Sequence, residues 1–283
     1  MFNEINEINP GSAVESTLTG LKAKLRAGWM DGDYGAFSTY MKPGALTILA
    51  GWRIEPGLRL LDVACGAGQT AIPAAQAGIR VTGVDIASNL IEAASRQAAA
   101  MGLDIRFDEG DAEDLPYSDG AFDVVISLIG AMFAPHPQQV AAEFARVCRS
   151  GGRLHMANWT PDGMVGQMFQ IVAKHVSAPK GMEPPVRWGD EATAYERLRN
   201  YFTDIRLARQ HYPSWAYPFD AGEIVEYFRK VYGPMKRAFE SLDQKGQKAL
   251  REDLEKVFTM HSDREKGRTV LLAEYLDISA VRR

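Results

Sequence analysis

Cysteine is scarce in this chain of 283 residues, which has only Cys65 and Cys148. Two are too few for a disulfide framework, and they lack the Cys-x-x-Cys spacing of a zinc or redox site. The five histidines, His136, His155, His175, His211 and His261, stand far apart with no paired spacing, so no metal site is expected. Long apolar runs are missing too: nothing approaches the roughly 20 residues that a bilayer-spanning helix requires. Met1 to Thr19 is polar where a signal peptide needs a basic start and an apolar core. These absences predict a protein of the reducing cytoplasm with no membrane span. Basic excess is also lacking, since 32 Lys and Arg face 36 Asp and Glu for a net charge of -4. No nucleic-acid footprint results, and no such partner is expected. Without internal repeats or low-complexity tracts, solenoids and arrays are excluded. Oligomeric state is not legible.

What is present is ordinary globular material, with 46% hydrophobic and 24% charged residues, long enough for one large α/β domain with an added subdomain. From Leu58 to Ala157 short apolar runs alternate with amphipathic stretches, the signal of βαβ units on a parallel sheet. Strands are predicted at Leu58 to Val63, Arg80 to Val84, Ile105 to Asp108, Phe122 to Ser127 and, after the Gly151-Gly152 turn, Arg153 to Ala157. Helices are predicted near Gln69 to Ala77, from Ser88 toward Met101, and near Pro137 to Cys148. Five strands in this space suit a doubly wound sheet. Beyond Trp159 the alternation breaks. Helices are expected at Met164 to Val176, Asp190 to Asn200, Ala221 to Tyr232 and Met235 to Phe258, with a loop at Ala178 to Pro185. A strand fits Asp204 to Gln210, and Thr269 to Val281 reads as one final strand returning to the core sheet. The segment Ser16 to Gly51 reads as helical pieces broken at Gly28, at Asp31-Gly32-Asp33 and at Pro43. The expected division is a helical lid over 1–52, a ligand-binding core over 53–160, a mostly helical insertion or cap over 161–265 that includes the strand near 204–210, and a final core strand in 266–283.

Chemistry concentrates in Leu60-Leu61-Asp62-Val63-Ala64-Cys65-Gly66-Ala67-Gly68, where a strand runs into a carboxylate and a Gly-x-Gly turn. Glycine permits a tight bend with a ligand against the main chain. Alone, the turn is ambiguous, because Gly66-Ala67-Gly68-Gln69-Thr70-Ala71 also matches a dinucleotide fingerprint. Asp62 would repel a pyrophosphate but suits a ligand bearing an ammonium group; its other role is to orient the turn. Asp85, closing Val81-Thr82-Gly83-Val84-Asp85, can accept from both hydroxyls of a ribose. In Gly110-Asp111-Ala112-Glu113-Asp114-Leu115-Pro116 a carboxylate can accept from an adenine amino group beside a backbone N–H; the other reading is a bare turn.

Through LLDVACGAG, VTGVD, GDAEDLP, FDVVIS and RVCRSGGRL, spanning Leu60 to Leu154, the chain resembles the class I S-adenosylmethionine-dependent methyltransferases, and within them the ubiquinone/menaquinone C-methyltransferase-like (methyltransferase type 11) group. The first glycine of the family's D-x-G-x-G-x-G form is Ala64 here. The resemblance implies a doubly wound, seven-stranded Rossmann-like sheet whose last strand is antiparallel, with S-adenosylmethionine as cofactor. It further implies that Asp62, Ala64, Gly66, Gly68, Asp85, Asp111 and Ala112 serve the cofactor, that Ile86 packs on its adenine, and that the backbone near Ser127 faces its methionine moiety.

For the acceptor, methyl transfer can rest on positioning and desolvation, so no catalytic signature is required. His136, held between Pro135 and Pro137 just after the fourth strand, is a candidate base; a plain loop histidine is the other reading. His155, inside a strand, reads as a satisfied core residue. Trp29, Tyr34, Met132, Phe133 and Trp159, with Trp188, His211, Tyr212 and Trp215, fall in segments expected to overhang the strand ends. As a set they favour a small apolar or aromatic acceptor, with its carbon, oxygen or nitrogen undecided. Two other functions share these motifs. A non-catalytic S-adenosylmethionine-binding protein would keep them all, and an NAD(P)-dependent oxidoreductase would leave Asp62 and GDAEDLP unexplained.

Overall fold

Apolar five- to seven-residue runs buried on both faces form the centre of a parallel sheet, as such runs do when helices cover both sides. The computed structural model describes residues 10–177 and 181–283. The part of the N-terminal segment over 1–9 and the part of the expected loop over 178–180 lie outside them. In chain order the elements are α1 (Pro10–Met30), α2 (Tyr34–Thr39), α3 (Lys42–Gly51), β1 (Arg59–Val63), α4 (Ala71–Gln76), β2 (Arg80–Asp85), α5 (Ser88–Ala100), β3 (Arg106–Glu109), β4 (Phe122–Leu128), α6 (Pro137–Val147), β5 (Cys148–Trp159), α7 (Met164–His175), α8 (Glu191–Leu198), β6 (Phe202–His211), β7 (Ala216–Tyr217), α9 (Ala221–Val231), α10 (Gly233–Glu240), α11 (Gln244–Met260), β8 (Ser262–Glu265), β9 (Arg268–Leu271) and β10 (Glu274–Arg282).

The main sheet has seven strands in the order β3-β2-β1-β4-β5-β10-β6. β1 pairs in parallel with β2 and β4, whereas the last strand, β10, lies antiparallel between β5 and β6. The chain leaves β1 toward β2 and β3, then crosses back to β4. That reversal opens a crevice at the carboxyl ends of β1, β2 and β4, the position where such sheets hold ligands.

Four expectations need correction. Gly28 does not interrupt the first helix, which runs to Met30; the break falls at Asp31 to Asp33, and Asp33 caps α2 by accepting from Ala36 N–H. Pro43 sits in the first turn of α3, where a missing N–H costs nothing. The helix expected over Met235 to Phe258 is two helices, because Asp243 caps α11 by accepting from Gly246 N–H. The run Thr269 to Val281 is likewise two strands: β9 joins a separate three-stranded sheet, β7-β9-β8, and only β10 enters the core. Gly151 and Gly152 lie within β5 rather than before it, at a register shift against β4.

Beyond the sheet, helix identity follows from caps. Asp220 and Glu223 form a reciprocal capping box on α9, and Asp190 caps α8. α10 and α11 each pack on α9, and the three helices bury Phe228, Phe239 and Phe258, each at most 1% exposed. They form a mostly helical cap, from which α9 lines the crevice through Phe228, together with residues of α1 and α2. Among the described residues no helix is long and apolar enough to cross a membrane.

Candidate active site

The crevice is a cavity of about 240 Å³ reaching from the β1–α4 loop to the cap. One wall comes from the strand ends. Ala64 and Gly66 sit in the left-handed region with φ of 57° and 55°. The β1–α4 loop thus holds a non-glycine residue where the family's glycine would stand, at the expense of backbone strain. Across from it the turn after β4 comes so close that a Cβ on Gly130 would stand 2.6 Å from the Ala64 carbonyl oxygen.

Asp85 ends β2 and holds this loop in place. Its Oδ2 accepts from Gly66 N–H at 2.9 Å and its Oδ1 from Ala87 N–H at 2.8 Å. Burial pushes its carboxyl above the usual range, against the pull of these backbone donors. Asp85, Ile86, Asp111 and Ala112 all line the cavity, with Ala64 and Gly66.

Other expected residues stand behind that wall. Asp62 is 1% exposed and accepts from the Thr70 hydroxyl, so it orients the loop and meets the cavity only through Thr70, a lining residue. Burial foremost pushes its carboxyl up to about 7, opposed by the Thr70 hydrogen bond. Gly68 is absent from the wall and packs on Ile72. Ser127 is spent on structure: its Oγ donates to the Val63 carbonyl at 2.8 Å and accepts from Ala131 N–H at 2.9 Å. Its neighbours Leu128 and Ile129 line the cavity instead. Met132 is buried in the core.

His136 does not line the cavity either. Its ring Nδ1 is 2.9 Å from Glu113 Oε2, and its backbone N–H donates to Glu113 Oε1 at 2.6 Å. The Glu113 side chain is 0% exposed and takes a third partner, Lys22 Nζ at 2.6 Å. A buried carboxylate needs such compensation. His155 is buried but unsatisfied: neither ring nitrogen has a partner, the ring stacks on Trp52, and burial lowers its pKa to about 4. Burial also pushes the Cys65 thiol up, leaving it inert.

Reasoning from sequence placed Trp29 at the site but missed the polar residues of α1, Lys22 and Arg26. Lys22 Nζ lies 2.5 Å from Asp111 Oδ2; Arg26 donates to the Ile86 carbonyl at 3.0 Å and to Glu109 at 2.6 Å. Lys22, Leu25 and Trp29 line the cavity, so one face of α1 lies across the wall that holds Asp85, Ile86, Asp111 and Ala112. The available signal was spacing: Lys22, Arg26 and Trp29 recur at helical intervals of four and three. Tyr232 and Phe228 were also missed, since nothing local distinguishes them from core.

The second wall is aromatic. Trp29 meets Phe133 edge-on with centroids 4.8 Å apart, Trp159 stacks on Trp215 at 5.6 Å, and Phe37 stacks on Tyr232 at 5.0 Å. Trp29, Tyr34, Phe133, Trp159, Tyr212 and Trp215 are thus brought together from distant segments onto the cavity. Trp188 and His211 are not; Trp188 packs under the Arg197 guanidinium, 4.7 Å from its ring centre. Among the described residues lining the cavity, the only carboxylates are Asp85 and Asp111, both on the first wall.

A methyltransferase domain model matches residues 61–156. An uncharacterised protein of Mycobacterium tuberculosis is 38% identical over 216 residues, 76% of this chain and 78% of that protein. The 27-O-demethylrifamycin SV methyltransferase of Amycolatopsis mediterranei is 39% identical over 192 residues, 67% of this chain and 65% of that one. In structure, the Haemonchus contortus phosphoethanolamine N-methyltransferase 2, solved with S-adenosylhomocysteine, superposes with a TM-score of 0.57 at 18% identity, covering 88% of this chain and 57% of that chain. A glycine-poor loop closed by Asp85, at the switch point of a seven-stranded sheet with a reversed last strand, therefore has a family: the chain is a class I S-adenosylmethionine-dependent methyltransferase, and S-adenosylmethionine is its cofactor.

Proposed function

We propose that this enzyme methylates a small aromatic or apolar molecule held in the chamber between α1, α2, the turn after β4 and α9. The observation that carries the reading is the division of one cavity into two walls of opposite character, a polar one at the strand ends and an aromatic one facing it. On this reading Asp85 accepts from the ribose, Ile86 covers the adenine beside Asp111 and Ala112, and the backbone of Ala64 and Gly66 approaches the rest of the cofactor. Bound S-adenosylmethionine supplies an electrophilic methyl group whose leaving group is a neutral thioether.

The chain's own contribution is orientation and exclusion of water. Rings from Trp29, Phe133 and Trp159 can clamp a flat acceptor in line with the methyl, and an effective concentration is gained without a covalent intermediate. Since no carboxylate among the described residues lines the aromatic half, protonated amines find no counter-charge there, which favours carbon or oxygen acceptors. The name of the rifamycin relative supports a small-molecule acceptor.

A panel of quinols, phenols and amines, assayed for S-adenosylhomocysteine release, tests the proposal. Turnover of phenols or quinols above amines is expected. Preferred turnover of amines would remove it, and bound cofactor with no turnover on any acceptor would favour a non-catalytic binding role.

A further inference from the structure

Behind the end of β5 lies a buried cation that neither the cofactor wall nor the aromatic chamber uses. Arg197, on α8, has a side chain only 4% exposed, and its Nη2 donates to Glu183 Oε2 at 2.5 Å. Its Nε and Nη1 have no hydrogen-bond partner among the described residues, and neither has the indole Nε1 of Trp188, a residue 1% exposed. The two side chains are neighbours, with the guanidinium carbon 4.7 Å from the centre of the Trp188 ring.

Buried donors without acceptors are uncommon in native proteins and point to a bound water or ion. All three nitrogens here are donors, since guanidinium and indole N–H groups cannot accept. Charge narrows the choice. Burial pulls the Arg197 pKa down by more than Glu183 raises it, so that carboxylate does not offset the loss of hydration. Arg187 adds a second positive charge nearby. Asp190, the other carboxylate acting on Arg197, is occupied, because its Oδ1 accepts from the Thr193 N–H at 2.9 Å and from the Thr193 hydroxyl at 2.5 Å. The Glu183 side chain is 47% exposed, so the guanidinium lies one side chain below the surface, within reach of an ion from solvent.

We propose that the Arg197 guanidinium and the Trp188 indole hold a small inorganic monoanion, with chloride as the abundant case. A halide accepts from several N–H groups at once and brings one negative charge to a cation that Glu183 compensates only in part; a water would bring none. Trp188 belongs to the short helical turn Pro185–Gly189. That turn presses on the end of β5, where a Cβ on Gly189 would collide with the Trp159 carbonyl. A bound anion therefore fastens this turn to α8 behind a ring of the acceptor chamber, and it stabilises the fold without touching the cofactor.

The test uses the whole protein in sodium chloride, with sodium gluconate at equal ionic strength as the control, because gluconate is too large for a buried site. Chloride at about ten times its Kd is expected to raise Tm by about 2–4 °C over gluconate. Trp188→Phe keeps the ring and removes the N–H; it should weaken chloride binding about tenfold, read from the dependence of Tm on chloride. Arg197→Lys keeps the charge but loses the planar donor set, and it should have the same effect if the first variant fails to fold. In wild-type crystals grown with bromide, an anomalous peak is expected within hydrogen-bond reach of Trp188 Nε1 and the Arg197 guanidinium. Equal Tm in the two salts overturns the proposal, as does a chloride response that survives in either folded variant. A water at that position overturns it too. So does a bromide peak with no response of Tm, which would mean binding at crystal concentration only.

Discussion

At the scale of single residues the β1–α4 loop holds two uncommon choices. Ala64 adopts a φ of 57°, where a side chain costs about 1 kcal/mol more than glycine. Ala64→Gly is therefore expected to raise unfolding free energy by about 0.5–1 kcal/mol, read by urea denaturation; a loss of stability would mean that the methyl packs better than the strain costs. Asp62 is the second. Its carboxyl, pushed up to about 7 by burial, has a folded value above its unfolded one, so the protonated form favours the fold. The stability it contributes is complete below about pH 4 and is lost as pH rises through about 7. Asp62→Asn should flatten the decline in Tm between acid and mildly alkaline pH; an unchanged slope would place the titration elsewhere. Asp85 works differently, because both of its oxygens hold backbone N–H groups of the site. Asp85→Ala is expected to weaken S-adenosylhomocysteine binding by about 1.5–3 kcal/mol, and unchanged affinity in a folded variant would move the ribose contact to another residue.

At the scale of elements, α1 is the part whose role the sequence concealed most. A helix with Trp29 on one face looks like a cover. Only the contacts show that Lys22 and Arg26 tie that cover to Asp111, Glu113, Ile86 and Glu109. Burial pulls the Lys22 pKa down, yet its bonds to Asp111 and Glu113 outweigh this and raise it, as expected for a cation held between two carboxylates. The double variant Lys22→Ala, Arg26→Ala should release S-adenosylhomocysteine about tenfold faster, measured by stopped-flow displacement. Release at the wild-type rate would show that α1 packs without gating. On the same argument we propose that substrate choice resides in α1, α2 and the cap, with the central loops answering for the cofactor.

At the scale of the whole molecule, the cavity draws its walls from both termini of the core and from the cap. Ligand binding should therefore stabilise segments far apart in sequence together. S-adenosylhomocysteine at about 100 times its Kd is expected to add about 2.7 kcal/mol to unfolding. Hydrogen exchange should slow in α1 and in the β1–α4 loop at once. Slowing confined to the loop would show that the N-terminal helix does not close over the cofactor.

The sequence by itself determined the parallel core and its switch point, because short continuous apolar runs, amphipathic helices and glycine turns are local signals. LLDVACGAG and VTGVD needed no partner to be read, and the reversed last strand followed from the resemblance they carry. What only the tertiary structure decided was direction and company. Whether Asp62 faces the ligand or Thr70, whether His136 meets substrate or Glu113, and whether Thr269 to Val281 is one strand or two depend on groups 8, 23 and about 50 positions away. The aromatic chamber is the extreme case. Trp29, Phe133, Trp159 and Tyr232 are each indistinguishable from core in sequence, since burial in a core and burial around an acceptor demand the same apolar surface, and only their convergence on one cavity separates the two.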